Sequence, residues 1–157
     1  MEDQETRLAI FSVGEEEYAI DIMRVVEILR PQKVTRLPMS PDFIEGVLNL
    51  RGKVIPIVDL RKRFGIEPTD RHGNERILLI RVGEEIVGLQ VDGISDVRCL
   101  SREDIVSPPT IVKGIKTEYL EGVGKVGEKL IIILNLDKIL STEEMLVLES
   151  IEDTEKA

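Results

Sequence analysis

The chain has 157 residues, a formal net charge of −9, and 42% hydrophobic but only 3% aromatic residues. A chain of this length buries a substantial core without disulfides or metals, and a core of Val, Ile and Leu favours β-strands. The negative charge repels phosphate backbones and few aromatic rings are present for bases to stack on, so these features exclude nucleic acid as a partner.

The N-terminus predicts a cytoplasmic protein. The opening residues MEDQETR are acidic and polar, whereas a secretion signal begins basic and continues with an apolar run. No apolar stretch approaches the roughly 20 residues that a membrane-spanning helix needs, so we expect no direct membrane insertion. Cys99 is the only cysteine, which rules out an internal disulfide and fits a reducing compartment. Its aliphatic surroundings predict a buried, inert thiol.

The first predicted element is a hairpin that recurs later in the chain. The segment LAIFSVGEEEYAIDIMRVVEIL (8–29) aligns without a gap with ILLIRVGEEIVGLQVDGISDVR (77–98). Both copies read VGEE at the turn, and aliphatic positions on either side of it coincide. Alternation after the turn predicts a half-buried return strand in each copy.

The next predicted element is a helix of one or two turns. Ser40 is a typical N-cap residue, Pro41 suits the first helical position, and Gly46 suits the end of a helix.

A second segment is also repeated. FIEGVLNLRGKVIPIVDLRKRF (43–64) aligns without a gap with YLEGVGKVGEKLIIILNLDKIL (119–140). Asp59 and Asn135 occupy matching places and are N-cap types, so we interpret Asp59 as a structural cap of a short helix. Pro56 inside the strand predicts an edge or a bulge, while Gly46 and Gly52 are expected where φ is positive or the backbone is approached closely.

The repeats predict a mainly β protein made of two similar units, 8–66 and 76–140, joined near the polar linker EPTDRHGNE. Because an open sheet leaves exposed edges, each unit is expected to close into a small barrel. The sequence STEEMLVLES opens like a capping box and predicts a C-terminal helix over residues 141–150.

The chain shows no pattern typical of catalysis. His72 is the only histidine and lies in the polar linker, and the glycines do not form a phosphate-binding loop. We therefore expect no enzyme activity, no metal site and no cofactor. The remaining class of function is that of a binding protein.

The stretch NLRGKVIPIVDLRKRFG resembles the CheW coupling proteins of bacterial chemotaxis. EEEYAIDIMRVVEILR, PDFIEGVLNLRG, VDGISDV and STEEMLVLES resemble other blocks of that family, in the same order and over about residues 8–150. The resemblance implies one CheW-like domain over residues 1–157, built from two five-stranded SH3-like barrels. It also implies a scaffold that tethers the histidine kinase CheA to the cytoplasmic tips of methyl-accepting chemoreceptors. We expect a monomer in isolation that joins receptor arrays through these partners.

The resemblance also suggests where a receptor binds. Val25 and Ile28 align with Ile94 and Val97, so pseudo-symmetric packing would place these side chains on two walls of one groove. Considered one by one, each side chain is equally compatible with an ordinary core position. In the family, the arginine matching Arg51 lies near the receptor groove and pairs with the glutamate matching Glu27. The alternative is an exposed ion pair with no role in binding.

For the kinase, we expect contacts at the segment Val34 to Leu37, which includes Arg36, and at Val106 to Ile111, which contains Pro108-Pro109. These extended, proline-flanked pieces are equally compatible with loops that only connect strands.

Two other functions stay open. A crevice between the barrels would suit a small-ligand sensor or an enzyme. The chain would also fit as a coupler in a non-flagellar pathway, such as control of motility by pili.

Overall fold

A computed structural model describes residues 5–37, 42, 44–66, 73–107 and 119–139. Over these residues the chain is mainly β, as the sequence predicts. The strands are β1 (Glu5–Val13), β2 (Glu16–Asp21), β3 (Val25–Leu29), β4 (Ile44–Leu50), β5 (Lys53–Asp59), β6 (Arg76–Val82), β7 (Glu85–Val91), β8 (Gly93–Ser101), β9 (Ile105–Val106), β10 (Leu120–Val126) and β11 (Lys129–Leu134). Helix α1 spans Leu60–Phe64, and single 3-10 turns span Ile22–Arg24 and Arg102–Asp104.

The described strands form two sheets. Sheet A has six strands in the order β8-β1-β2-β11-β10-β9, and sheet B has five in the order β3-β6-β7-β5-β4. Each sheet contains one parallel pair, β2 with β11 in sheet A and β5 with β7 in sheet B, and its other pairs are antiparallel. The predicted two-unit β architecture is therefore present.

The membership of the sheets differs from the predicted units, 8–66 and 76–140. The first hairpin, β1-β2, lies in sheet A among strands of the second half of the chain, and the hairpin β6-β7 lies in sheet B among strands of the first half. The physical reason is the parallel pairing, because parallel neighbours cannot be joined by a short turn and must come from separate parts of the chain. The two halves thus exchange hairpins instead of closing separately.

The repeat reappears in the local geometry. β4 and β10 coincide in the alignment from end to end, and each ladder shifts register at the same place, around Glu45 and Glu121. β3 and β8 likewise shift register at aligned positions, around Val26 and Ser95. A duplicated sequence has kept its bulges as well as its strands.

Each sheet curls around its own small core. In sheet B, Leu48 of β4 belongs to the same cluster as Ile77 of β6, and Leu29 of β3 packs against that cluster. Sheet A has a corresponding cluster that includes Leu8 of β1 and Leu100 of β8. Strands from both edges of a sheet share one interior, as in a small barrel.

A larger core lies between the sheets. It contains buried residues from β1 and β2 of sheet A and from β5, β6 and β7 of sheet B. Its aromatic centre is formed by Tyr18, whose ring stacks at 6.1 Å from Phe11 and at 5.1 Å from Phe64. Phe64 belongs to α1, so the helix that follows β5 packs against the hairpin β1-β2. Because Tyr18 is 1% exposed, burial, reinforced by the charge of Glu16, raises the pKa of its phenol to about 12.

Two capping predictions have clear outcomes. Asp59 is the N-cap of α1, since its carboxylate accepts a hydrogen bond from the Arg61 N–H at 2.9 Å, and Gly65 ends the helix with φ 70°. Gly46 does not end a helix, because it lies inside β4. A Cβ there would lie 2.2 Å from the Thr35 carbonyl oxygen of the crossing segment, so this close approach requires glycine.

Pro56 was predicted to mark an edge or a bulge. β5 lies between β7 and β4 in the strand order, but Pro56 itself pairs only with β4, so the strand has a locally unpaired side at this residue. Pro56 faces Val47, whose N–H and carbonyl both bond to Thr35 on the opposite side. The pairing of β5 with β7 begins only at Ile57. An interior strand therefore accommodates a residue without an N–H here.

The predicted burial of Cys99 is also wrong, because its side chain is exposed on β8. Other predictions lie outside the described residues: the start of the short helix at Ser40-Pro41, His72, and the C-terminal helix over 141–150. Among the described helices, none is long and apolar enough to cross a membrane.

The buried phenol yields a test. Since the pKa of Tyr18 is about 12 in the folded state and about 10 in an unfolded chain, burial of the neutral phenol stabilises the fold below pH 10. That contribution is lost as the pH rises towards 12. We expect a late tyrosinate step in an ultraviolet titration, with urea midpoints falling over the same interval. The Tyr18→Phe variant should lack this step, and its persistence there would contradict the assignment.

Candidate partner-binding edges

Two edge strands at equivalent positions of the repeat carry the predicted receptor residues. Within the described residues, β3 is an edge of sheet B and β8 is an edge of sheet A. Val25 on β3 and Ile94 on β8 are half-buried and pack against the core between the sheets. Ile28 and Val97 are 45% and 52% exposed. Each sheet thus contributes one half-buried side chain, Val25 or Ile94, that packs on the core. Each sheet also contributes one exposed side chain, Ile28 or Val97.

Bulges set the directions of these side chains. The extra residue in β3 is Val26, and the one in β8 is Ser95. A bulge bends a strand locally and re-aims the neighbouring side chains. Val26, the extra residue, exposes 48% of its surface. Met23, in the preceding 3-10 turn, exposes 84%. These two apolar side chains were not predicted from the sequence. The signal for Val26 is the consecutive pair Val25-Val26, which breaks the alternation.

The structure joins Arg51 to Glu27, as the family resemblance implies. The guanidinium nitrogens Nη1 and Nη2 donate to Oε1 at 3.0 Å and to Oε2 at 3.2 Å of the Glu27 carboxylate. The hydrogen bonds from Arg51 lower the pKa of the Glu27 carboxyl below its usual value, and the same bonds raise the pKa of Arg51. Arg51 nevertheless exposes 73% of its side chain, compared with 32% for Glu27. This fork is therefore a surface feature that is open to a partner.

The fork also connects distant parts of sheet B. Arg51 lies in the turn between β4 and β5, whereas Glu27 lies on β3, at the opposite edge in the strand order. The contact is possible because sheet B curls until its edges approach each other. The pair thus fixes one side of the β3 edge to the neighbouring hairpin turn.

The turn holds Arg51 in an unfavourable backbone conformation. Arg51 has φ 51° and Gly52 has φ 84°, which is the pattern of the two-residue turn that matches strand twist. Positive φ is disfavoured for residues with a Cβ. In the other repeat, the residue aligned with Arg51 is Gly127, with φ 62°. One copy of the turn has the residue that the geometry prefers, and the other has an arginine that reaches Glu27.

The predicted kinase residues lie at the other edges of the two sheets. Thr35 bridges to Val47 on β4, and Val106 of β9 pairs with Val123 on β10. Val34 is half-buried against the core of sheet B, and Val106 is 40% exposed. These two segments occupy equivalent places, because Gly46 and Gly122 let each of them cross close to its sheet.

Of the remaining residues predicted to contact the kinase, the structure describes Arg36 and Leu37. Arg36 is exposed and lies 3.9 Å from the Glu45 carboxylate, and Leu37 is half-buried. Ile111 and Pro108-Pro109 lie outside the described residues.

Comparison with known proteins identifies the family. Residues 7–144 match the family model of the CheW-like domain. A chemotaxis protein CheW of Klebsiella aerogenes is 42% identical over 142 residues, which are 90% of this chain and 86% of that protein. The CheW of Treponema pallidum is 39% identical over 147 residues, covering 91% of this chain and 86% of its own length. The crystal structure of the scaffolding protein TtCheW from Thermoanaerobacter tengcongensis superposes with a TM-score of 0.84 at 36% identity, over 92% of this chain and 95% of TtCheW. The chain therefore belongs to the CheW family of chemotaxis proteins.

Proposed function

We propose that this protein is a non-catalytic adaptor that couples methyl-accepting chemoreceptors to the histidine kinase CheA in the cytoplasm. The observation that carries the proposal is the exposed Arg51–Glu27 fork beside the apolar β3 edge. A scaffold of this kind binds two partners at once, so it needs two separate surfaces. The described sheets supply two pairs of edges: β3 with β8, and the 34–37 segment with β9.

The receptor surface consists of β3 with its fork, together with β8. A receptor tip is an antiparallel pair of helices, and an amphipathic helix binds where apolar side chains form a groove. Ile28 and Val97 provide exposed aliphatic surface in this region, while Val25 and Ile94 fix both strands to the common core. Met23 and Val26 extend the apolar surface of β3.

The strained turn supports a binding role for Arg51. A fork that served stability alone would gain little at such an exposed position, because solvent screens exposed ion pairs. Keeping an arginine at positive φ costs conformational energy that the aligned Gly127 avoids. A backbone outlier of this kind supports a functional role. We infer that the planar fork positions Glu27 and presents the remaining guanidinium donors to the receptor.

The kinase surface consists of the 34–37 segment and β9. The 34–37 segment lies at the edge of sheet B and β9 at the equivalent edge of sheet A. The side chains of the two segments differ. Different surfaces that meet in a head-to-tail manner can close a ring, whereas a contact between identical surfaces stops at a dimer. This arrangement suits a monomer that alternates with another protein in an array. A pathway with a non-flagellar output would use the same two surfaces.

The fork yields a test with a built-in stability control. Arg51→Gly removes the fork and places in the turn the residue type that the other repeat has there. We expect binding to a receptor hairpin fragment to weaken about tenfold or more, measured by calorimetry. The unfolding temperature should stay equal or rise slightly, because glycine relieves the positive φ.

Two further variants separate geometry from charge. Arg51→Lys keeps the charge but not the two-pronged geometry, so it should also weaken binding. Lys125→Ala removes one positive charge from an exposed position on β10 and should bind normally. If the unmodified protein, Arg51→Gly, Arg51→Lys and Lys125→Ala all bound the receptor fragment equally, the fork would have no part in receptor binding.

A reciprocal pair of variants tests the two surfaces against each other. Val97→Glu places a charge on β8 and should reduce receptor binding at least about tenfold while leaving CheA binding unchanged. Val106→Glu places the same charge on β9 and should have the opposite pattern. Both positions are partly exposed, so both variants should fold. If each variant weakened both interactions equally, the assignment of separate surfaces would be wrong.

A further inference from the structure

A polar cleft of about 330 Å³ lies where sheets A and B meet. It is bounded by β1, by the residues that lead into β6, and by the start of β8. Its volume falls at the lower end of the range of small-molecule sites, about 300 to 1,000 Å³. The lining residues are Ser12, Asn74, Arg76, Asp92, Gly93, Ile94 and Ser95.

The two charged residues of the lining have different partners. Asp92 is neutralised, because both of its carboxylate oxygens accept from Arg61 Nε, at 2.8 and 2.9 Å, and Oδ2 also accepts from the Gly14 N–H. Arg76 is half-buried and donates from Nη1 to the Glu75 carbonyl at 2.7 Å. Within the described part of the chain, no carboxylate lies within 4.0 Å of the Arg76 guanidinium. Among the described residues, the Arg76 fork in the cleft therefore has donors without a partner.

The repeat explains why the space exists. The residue aligned with Gly93 is Arg24, and the residue aligned with Ser12 is Arg81. In that copy, Arg24 lies along the strand, donating from Nε to the Arg81 carbonyl at 2.9 Å and from Nη2 to Asp137 at 2.7 Å. The cleft copy has no such side chain, and a Cβ on Gly93 would already lie 3.3 Å from the Ser12 hydroxyl.

We propose that this cleft binds a small molecule that carries a carboxylate or a phosphate group. Arg76 supplies a fork that matches two oxygens of such a group. The Asn74 amide and the hydroxyls of Ser12 and Ser95 are further donors in the lining. The site adjoins the proposed receptor surface, because Ile94 and Ser95 of β8 line it. Its occupation by an anion requires neither receptor nor kinase.

The affinity is expected to be modest. The protein has a net charge of −9, so its overall field opposes an anion and the local donors must compensate. A dissociation constant of about 1 mM is the scale for one fork with a few hydrogen bonds. The opposing field also favours specificity, since nonspecific anion binding to the rest of the surface is weak.

The test is an NMR titration of the full chain with sodium phosphate, sodium malonate or sodium chloride at one fixed ionic strength. Saturable shifts are expected at the amides of Asn74, Arg76, Gly93 and Ser95 with phosphate, malonate or both, and not with chloride. A response to phosphate alone assigns the site to phosphate groups, and a response to malonate alone assigns it to carboxylates. Absence of saturation with both, or an equal response to chloride, overturns the proposal.

Variants make the result specific to the cleft. Arg76→Gln should weaken binding about tenfold or more, and Gly93→Arg should block it by restoring the side chain found in the other repeat. The matched control is Arg7→Gln. Arg7 aligns with Arg76 and is exposed on β1, and its replacement by Gln changes the net charge by the same amount. If Arg7→Gln weakened binding as much as Arg76→Gln, the shifts would report net charge and the proposed site would be wrong.

Discussion

An ion pair lies at the end of each parallel strand pair and connects the two halves of the chain. Arg61, just after β5, binds Asp92, just after β7, and Arg24, just after β2, binds Asp137, just after β11. The first pair is largely buried, and its hydrogen bonds raise the pKa of Arg61, while the hydrogen bond from Arg24 lowers the pKa of the Asp137 carboxyl. A buried pair is costly to break once formed, so it fixes an arrangement even where its net contribution to stability is small. The hairpin β6-β7 is thus fastened to β5 by a largely buried pair, whereas the more exposed Arg24–Asp137 pair adds less to the contact between β2 and β11.

The exchange of hairpins has a consequence for binding. If each half had closed separately, the two barrels would meet only across a surface and could shift against each other. Here each sheet contains strands of both halves, and one core runs between the sheets. Val25 and Ile94 pack against that core, so β3 and β8 are held at a fixed separation. Two strands that are already held in place lose less conformational entropy on binding than strands that must first be ordered.

The sequence predicted the strands well and their partners less well. Self-alignment placed both hairpins and both later strand pairs, because period-two alternation and turn residues are local signals. It could not show which sheet a hairpin joins, since β1-β2 and β6-β7 have the same pattern and would fit either neighbour. The helix end at Gly46 and the burial of Cys99 were misjudged for the same reason: each depends on a segment distant in sequence. The expectation that Gly46 allows a close backbone approach is confirmed. Arg51 and Glu27 were identified through the family resemblance. A crevice between the barrels was expected, but its lining residues were not, because the exchange of hairpins brings them together.

Differences between the repeats mark the positions that the fold alone does not explain. A duplicated scaffold needs the same residue types wherever only backbone geometry matters, as at Gly46 and Gly122, which both admit a crossing segment. Arg51 departs from this rule, because the aligned turn has Gly127, and Gly93 departs from it in the opposite direction, because the aligned residue is Arg24. One departure adds a charged fork to an edge, and the other opens a cleft beside the second edge. The second difference has a structural counterpart, because Arg24 pairs with Asp137, whereas the other copy makes the corresponding ion pair through Asp92 and Arg61 and needs no side chain at position 93.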